Sequence, residues 1–294
     1  MHRPLHPDSF RDRMKFEKWQ ALGNDYVILE EENLPWELNQ QRIQRICDPH
    51  FGVGSDGVLL ISRSEDPDYV ARLRIFNPDG SEAELSGNGA REAILYMRRH
   101  GWTKDKEFSI LTASGPVTPQ ITSDRTCSIE MGRASTTSPN FPSGGPDGLG
   151  TVSSAGRDWN FRHVSVGNPQ CAIEVGADIE ALDLPKIGPD IENSGLFPNR
   201  TNVSFFRVSG SRVRARIFER GVGETLSSGT GASGAAVAAY LNGAPSPITV
   251  ELDGGELLVE ITPELDVTLT GWADPILAGE LAPELVEAMS ELTA

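Results

Sequence analysis

The clearest pattern along the chain is an alternation of apolar and polar residues, which is typical of half-buried strands. Residues 69–77 and 212–218 alternate in this way and are rich in branched and aromatic side chains. After each strand comes a turn and then a run of good helix formers, Ala90–Arg99 or Ala232–Leu241. Each run stops two residues before a glycine, as helix C-termini commonly do. The pattern therefore predicts a strand, a turn and a helix, in that order and twice.

The remaining pattern is mostly short β segments separated by turns, with little further helix. A helix is predicted over residues 35–47, and a long loop over residues 135–156, which are rich in Ser, Pro and Gly. Further strands are predicted at Val164–Val175, Thr201–Val208, Ile248–Leu252 and Leu257–Ile261. Strands mixed with a few helices indicate an α+β chain.

The two strand–turn–helix segments also share their sequence. Arg74-Ile75-Phe76 matches Arg216-Ile217-Phe218, and Ser86-Gly87-Asn88-Gly89-Ala90 matches Ser228-Gly229-Thr230-Gly231-Ala232, both at an offset of 142 residues. An earlier pair, Gly23-Asn24 and Gly167-Asn168, recurs at an offset of 144. A strand, a turn and a helix that recur together indicate an internal duplication. A site between the two halves would then receive one copy of the motif from each.

Each Ser-Gly-x-Gly segment lies where a strand leads into a helix. The glycines allow a ligand to approach the backbone, and the free N–H groups at a helix N-terminus favour an anion. Two such termini facing each other would hold a carboxylate near a reacting carbon.

Charge and length exclude several classes of protein. The chain has 294 residues and a formal net charge of −16, which argues against non-specific nucleic-acid binding, because that needs Lys and Arg to neutralise phosphates. No apolar run reaches the ~18 residues of a membrane span. Residues 1–13 are too polar for a signal peptide and are interpreted as an extension, with Met14 as an alternative start.

The cysteine pattern argues against stabilisation by disulfides or by a zinc site. Cys47, Cys127 and Cys171 are odd in number and widely spread, and the chain has no C-x-x-C pair. This argues against a disulfide framework and a thiolate zinc site, and it fits a reducing cytosol. The sequence thus predicts a cytoplasmic protein without a bound metal.

Taken together, the motifs carry a family resemblance over the chain from Met14 onward. The segments are KWQALGNDYVILE, FGVGSDGVLL, RIFNPDGSEAELSGNGAR, VSVGNPQCAIEV, FPNRTNVSFF and RIFERGVGETLSSGTGA, at 18–30, 51–60, 74–91, 164–175, 197–206 and 216–232. They resemble the diaminopimelate epimerase family. The resemblance implies two pseudo-symmetric halves, each a barrel-like mixed sheet around a central helix. We place the N-terminal half at 14–131 plus 273–294 and the C-terminal half at 132–272.

The same resemblance implies a function. Members of this family interconvert LL- and meso-2,6-diaminopimelate without a cofactor, in lysine and peptidoglycan biosynthesis. One residue removes the α-proton from one face of the substrate, and its counterpart delivers a proton to the other face. The partner is therefore a small amino-acid substrate, with no nucleic acid and no membrane. The resemblance also allows a homodimer, although no interface patch stands out in the sequence.

The substrate-holding positions implied by the resemblance are nearly all retained. A guanidinium such as that of Arg220 can grip a carboxylate with paired bonds, and the two turns would clamp the reacting carboxylate. Amide side chains and Glu219 can satisfy an ammonium group. The matched positions are Asn24, Asn77, Gly87, Asn88, Asn168, Asn202, Glu219, Arg220, Gly229 and Thr230.

The acid/base positions depart from the family. The resemblance places cysteines where this chain has Ser86 and Ser228, a third cysteine at Ser233, and a histidine at Gln170. Glu219, the partner of the second catalytic position, is kept. A thiol has a pKa of ~8.5, whereas a serine hydroxyl is a far weaker acid. Gln170 cannot take a proton, so a serine pair should be a poorer proton shuttle.

Three interpretations of the departure stay open. The chain could be an epimerase that works slowly or by a modified route, with Ser86, Ser228, Glu219 and Gln170 at the catalytic positions. It could keep the binding site and carry out another isomerisation, elimination or cyclisation of a related amino acid. It could also be a catalytically inactive relative that binds diaminopimelate, or an engineered double Cys→Ser trap. Gln170 and Ser233 speak against simple engineering, because a trap needs only the two catalytic changes.

Overall fold

The structure is a computed structural model that describes residues 14–83 and 86–292. It divides into two units. Among these residues, 14–118 and 273–292 form the first unit and 119–272 form the second. The predicted extension, residues 1–13, lies outside the described residues. None of the described helices is both long enough and apolar enough to cross a membrane.

The described part of the first unit is a mixed sheet with three α-helices. Numbered along the chain, the strands are β1 (Lys15–Ala21), β2 (Asn24–Glu30), β3 (Val58–Arg63), β4 (Ala71–Phe76), β5 (Glu82–Ala83), β6 (Ile110–Thr112), β7 (Gly115–Val117) and β19 (Asp274–Glu280). The helices are α1 (Gln40–Cys47), α2 (Gly87–Arg99) and α5 (Pro283–Ser290). The sheet order is β19-β1-β2-β3-β4-β6-β7, with β5 paired to β4.

The second unit is a longer mixed sheet with two α-helices. The strands are β8 (Pro119–Ser123), β9 (Thr126–Arg133), β10 (Leu149–Ser154), β11 (Arg157–Val166), β12 (Asn168–Glu174), β13 (Asn202–Ser209), β14 (Arg212–Glu219), β15 (Gly223–Thr225), β16 (Ile248–Leu252), β17 (Gly255–Ile261) and β18 (Asp266–Trp272). The helices are α3 (Leu184–Glu192) and α4 (Gly229–Leu241). The sheet order is β10-β11-β12-β13-β14-β16-β17-β18-β9-β8, with β15 paired to β14.

The two sheets repeat one pairing scheme, which confirms the predicted duplication. In the first unit β2 pairs parallel with β3, β3 antiparallel with β4, and β4 parallel with β6. In the second unit β12 pairs parallel with β13, β13 antiparallel with β14, and β14 parallel with β16. The short strands β5 and β15 pair with β4 and β14 in the same way.

A buried helix lies against the strands of each unit, as predicted. Helix α2 contacts β1 to β4, and α4 contacts β11 to β14 and β16 to β18. The α4 sequence, GTGASGAAVAAYL, is small and apolar on every side, and its residues from Gly231 to Ala239 are all buried. A helix that is apolar all round can only be stable when its whole surface is covered. Both helices stop before Gly101 and Gly243, where the pattern predicted their ends.

Several predicted boundaries are wrong, and each error has a local cause. The helix predicted over 35–47 begins only at Gln40, because the Asn39 side chain accepts a hydrogen bond from the Arg42 N–H at 2.9 Å and caps it. The strand predicted over 164–175 is two antiparallel strands, β11 and β12, because Gly167 takes a φ of 78° and reverses the chain. The central helices begin at Gly87 and Gly229 rather than at Ala90 and Ala232. Ser86 and Ser228 are their N-caps, so the glycine-containing segments form the first turn of each helix.

Two longer-range expectations also differ from the structure. The loop predicted over 135–156 contains β10, which forms a hairpin with β11. Residues 119–131, placed in the first half from the sequence, join the second unit. Strands β8 and β9 lie in this segment, and β9 pairs with β18 across more than a hundred residues of chain.

A buried carboxyl group lies on α2. Glu92 is fully buried beside Arg91 and near the backbone N–H of Tyr26, but neither of its oxygens has good hydrogen-bond geometry to a donor among the described residues. Because burial disfavours the ionised form, the pKa of Glu92 lies well above its ordinary value. At pH values between the unfolded pKa and the raised folded pKa, the folded chain therefore binds a proton on Glu92 more strongly than the unfolded chain does.

Replacing Glu92→Gln should change how stability depends on pH. Between the unfolded pKa of about 4.3 and the raised folded pKa, the folded state binds more protons, so rising pH destabilises the wild type. We expect it to lose up to about 1.4 kcal/mol relative to Glu92→Gln per pH unit in that window. Urea midpoints across acidic and neutral pH measure this. The exposed Glu260→Gln is the control, and parallel pH curves for wild type and Glu92→Gln would contradict the prediction.

Candidate active site

The two predicted acid/base serines cap the two central helices. Ser86 precedes α2, and its Oγ accepts a hydrogen bond from the Gly89 N–H at 3.1 Å. Ser228 precedes α4, and its Oγ accepts one from the Gly231 N–H at 3.2 Å. Serine is a preferred N-cap because its oxygen satisfies a backbone donor that the helix leaves open. Each hydroxyl therefore lies at the positive end of a helix dipole.

The first half-site, by which we mean Ser86, Gly87, Asn88 and Asn24, is joined by side-chain amides. Asn88 Nδ2 donates to Asn24 Oδ1 at 3.2 Å, and Asn24 Nδ2 donates to Asp56 Oδ2 at 2.9 Å. The buried Arg91 guanidinium donates to Asn88 Oδ1 at 2.6 Å. The structure thus brings Asn24 and Asn88 into direct contact.

Asn77, the remaining predicted residue of the first unit, is bonded within its own turn. It follows β4, and its Nδ2 donates to Ser81 Oγ at 2.9 Å. Ser81 Oγ in turn donates to Asp79 Oδ1 at 2.6 Å. Residues 78–80 thus form a turn, and these bonds fix the amide of Asn77.

The second half-site, by which we mean Ser228, Glu219, Gly229, Thr230, Asn168 and Gln170, contains a hydroxyl–carboxylate pair. Ser228 Oγ donates to Glu219 Oε2 at 3.0 Å, and Thr225 Oγ1 donates to Glu219 Oε1 at 2.8 Å. Burial raises the pKa of Glu219, and these two hydroxyl bonds partly offset the rise. A carboxylate that already accepts the serine hydrogen can serve as the base for that serine.

A chain of amides holds the other side of this half-site. Gln170 Nε2 donates to Asn168 Oδ1 at 2.6 Å, and Asn168 Nδ2 donates to Thr230 Oγ1 at 3.1 Å. Gln170 is fully buried against Gly234, where an added Cβ would come within 2.7 Å of Gln170 Cγ. The Gln170 amide therefore fixes the orientation of the Asn168 side chain.

Arg220 and Asn202 form a separate part of the second unit. Asn202 Oδ1 accepts the Arg220 backbone N–H at 2.9 Å, and Asn202 Nδ2 donates to the Pro169 carbonyl at 3.0 Å. The guanidinium donates to the Asn199 carbonyl at 3.0 Å. Within the described part of the chain, no carboxylate forms an ion pair with Arg220. This cation can therefore still take an anionic partner.

Two contacts of the predicted site residues were not predicted from the sequence. Tyr26 OH donates to Ser86 Oγ at 3.3 Å, and Thr225 holds the second oxygen of Glu219. Tyr26 lies two residues after Asn24 in the GNDY segment, but the alternation of a strand predicts only that the tyrosine ring is buried and does not predict a partner for its hydroxyl. Thr225 lies in β15, a strand too short for the pattern to reveal.

The cysteines of the chain do not supply the missing thiols. Cys47, Cys127 and Cys171 are buried thiols, and burial raises the pKa of the Cys47 and Cys171 thiols. Among the described residues, no group of three or more His, Cys, Asp or Glu side chains could hold a metal ion. A groove of about 1010 Å³ opens in the first unit beside Phe16, Leu34 and Tyr96, but none of the predicted site residues, all of them described, lines it.

Known proteins resemble this chain in fold and in sequence. A solved hydroxyproline epimerase from Agrobacterium vitis matches with a TM-score of 0.63 at 15% identity, covering 94% of this chain and 95% of its own. At that identity the likeness shows the fold alone, an α+β fold of two similar halves. The diaminopimelate epimerase family model matches residues 16–137 and 162–274. The chain belongs to the diaminopimelate epimerase family.

Individual relatives support the assignment over nearly the whole length. A protein of a Nostoc species named diaminopimelate epimerase 2 is 40% identical over 278 residues, which is 92% of this chain and 97% of that protein. A diaminopimelate epimerase of a Synechococcus species is 37% identical over 283 residues, covering 92% of this chain and 99% of its own. The family resemblance predicted from the motifs is therefore confirmed.

Proposed function

We propose that the chain interconverts LL- and meso-2,6-diaminopimelate by two-base proton transfer, with Ser86 and Ser228 at the acid/base positions. The observation that carries the proposal is the duplicated cap: each unit presents a serine hydroxyl at the N-terminus of a buried helix, and one is already bonded to a carboxylate. Relatives that cover nine-tenths of the chain are named for this activity. Two-base epimerisation needs one such group for each face of the α-carbon.

The other predicted residues would hold the substrate. The backbone N–H groups of Gly87-Asn88 and Gly229-Thr230 would bind the reacting carboxylate and stabilise charge that builds on the α-carbon. Arg220, which no described carboxylate pairs, would bind the distal carboxylate. Asn24, Asn77, Asn168, Asn202 and Glu219 would satisfy the ammonium groups. No step of this scheme draws on a cofactor.

A second candidate, ligand binding without turnover, is favoured by the weak acidity of the serines. Serine hydroxyls are almost fully protonated at neutral pH, and the buried Gln170 amide cannot relay a proton. The residues proposed to hold the substrate would be unaffected. The chain would then bind diaminopimelate and leave it unchanged, or act on a related amino acid by other chemistry.

Exchange of the substrate α-proton with deuterium tests both candidates. We expect purified protein in heavy water to exchange the α-proton of LL-diaminopimelate slowly but above the buffer rate, and Ser86→Ala/Ser228→Ala to remove this exchange. Mass spectrometry and NMR measure the label. If exchange never exceeds buffer while diaminopimelate raises the melting temperature, the second candidate holds. If there is neither exchange nor a thermal shift at millimolar ligand, both fail and another amino acid must be sought.

The cellular setting is a further part of the proposal. We place the enzyme in the cytoplasm, which its three cysteine thiols support because that compartment keeps thiols reduced. A homodimer stays a prediction of the family resemblance, to be checked by light scattering.

A further inference from the structure

The two capping serines differ in their second hydrogen-bond partner. Ser86 Oγ accepts from the Gly89 N–H at 3.1 Å and also from Tyr26 OH at 3.3 Å. Ser228 Oγ accepts from the Gly231 N–H at 3.2 Å but donates its own hydrogen to Glu219 at 3.0 Å. The helix caps match, whereas one serine faces a proton donor and the other a proton acceptor.

The Tyr26 hydroxyl is held in place by close packing. Its ring is buried in β2, opposite Trp19 of β1. An added Cβ at Gly57 would come within 2.6 Å of Tyr26 Cε1, and one at Gly89 within 3.4 Å of Tyr26 Cε2. Both glycines thus leave space that the ring fills, one before β3 and one in the first turn of α2. The packing directs the phenol at the cap of α2.

We propose that Tyr26 is the proton donor behind Ser86, as Glu219 is the proton acceptor behind Ser228, so that the two serines begin a turnover in opposite roles. Tyr26 acts through Ser86 and is therefore a positioning residue. The inference rests on the proposed function, and it adds to it a residue and a direction.

The proton transfers balance over one turnover. On one face the substrate C–H bond breaks, its proton goes to Ser228 Oγ, and the Ser228 hydroxyl proton goes to Glu219, which becomes neutral. On the other face Ser86 gives its proton to the carbanion, forming the new C–H bond, and Tyr26 gives its proton to Ser86. Tyr26 ends as a phenolate. The reverse turnover, or exchange with water, restores the starting state.

Proton transfer from Tyr26 to Ser86 compensates for the weak acidity of the serine hydroxyl. A phenol has a pKa of about 10, far below that of an aliphatic hydroxyl, so an alkoxide at Ser86 takes the Tyr26 proton readily. The Gly89 N–H and the helix dipole stabilise the same oxygen. The negative charge thus comes to rest on the phenol oxygen and not on the serine.

An engineered thiol tests the contact without any turnover. In Ser86→Cys, alkylation of the introduced thiol, measured by peptide mass spectrometry over a range of pH, gives the pKa of that thiol, and the three native thiols are buried. Because a hydroxyl donor stabilises the thiolate, adding Tyr26→Phe should raise that pKa by about one unit, a tenfold drop in thiolate. The matched control adds Tyr96→Phe, which removes a phenol on α2 that donates to Glu30 at 2.8 Å. An unchanged pKa in Ser86→Cys/Tyr26→Phe overturns the proposal.

Isotope exchange tests the direction. In heavy water we expect Tyr26→Phe to lower inversion by about a hundredfold, while one epimer still gains deuterium with retention through Ser228 and Glu219. Glu219→Gln, which removes the acceptor behind Ser228, should abolish this retention, and Tyr96→Phe should match the wild type. Equal loss for both epimers in Tyr26→Phe, as a merely structural role would give, overturns the inference. Absence of exchange in the wild type overturns the proposed function instead.

Discussion

Replacing Ser86 and Ser228 together by cysteine should raise α-proton exchange by about a hundredfold or more. A thiol with a pKa of about 8.5 is partly ionised at neutral pH, and a helix N-terminus lowers that pKa further. Both serines already lie at such termini, where each Oγ accepts a hydrogen bond from the backbone N–H three residues further along the chain. General acid–base catalysis contributes about 10² to 10⁴ in rate when the pKa suits the task. The measurement is deuterium incorporation from heavy water into LL-diaminopimelate, followed by NMR.

The controls separate acid/base chemistry from other effects of a thiol. Ser233→Cys adds a buried thiol on α4, where Ser233 now donates to the Gly229 carbonyl at 2.9 Å, and should leave exchange unchanged. Each single Ser→Cys replacement should raise the exchange rate less than the double replacement, because inversion needs a proton-transfer group on each face of the α-carbon. Adding Gln170→His to the double variant shows whether the amide also limits the rate. A double variant no faster than the wild type, with or without Gln170→His, would contradict the prediction and favour binding without turnover.

The order of elements in the fold could be predicted because each element is encoded locally. The strand, turn and helix around Ser86 and Ser228 follow from alternation, glycine placement and capping residues, all within about 30 residues of chain. The pairing of β9 with β18 depends on strands more than a hundred residues apart. No local pattern encodes such a partner, so the sequence placed residues 119–131 with the first half, whereas in the structure they lie in the second unit. Similarly, a single glycine at 167 turned one expected strand into two.

In the candidate site, too, features encoded locally could be predicted from the sequence and long-range contacts could not. Ser86, Ser228, Glu219 and Arg220 lie in repeated or matched motifs, so their positions could be singled out from the sequence. The direction of their hydrogen bonds could not. That Ser228 donates to Glu219 while Ser86 accepts from Tyr26 depends on side chains brought together by the sheet, 60 residues apart in the case of Tyr26. The repeat predicts two equal halves, and the contacts make them unequal.

Replacing Arg220→Met should weaken diaminopimelate binding by about a hundredfold. Hydrogen bonds between charged groups contribute about 1.5–3 kcal/mol, and a guanidinium can form two to one carboxylate. Arg220 is suited to this because its backbone is fixed by Asn202 and its side chain by the Asn199 carbonyl, with no carboxylate among the described residues to neutralise it. Calorimetric titration gives the dissociation constant, and Arg207→Met, an exposed arginine on β13 of the same unit, is the control.

The choice of ligand makes this prediction specific to the distal carboxylate. Lysine is diaminopimelate with that carboxylate replaced by hydrogen, so Arg220→Met should bind lysine as the wild type does and bind diaminopimelate no more tightly than lysine. Arg220→Lys keeps the charge but loses the paired geometry, and should fall between the two proteins. If Arg220→Met weakens both ligands alike, the arginine stabilises the β14–β15 turn and does not recognise the substrate, and the second carboxylate must be bound elsewhere.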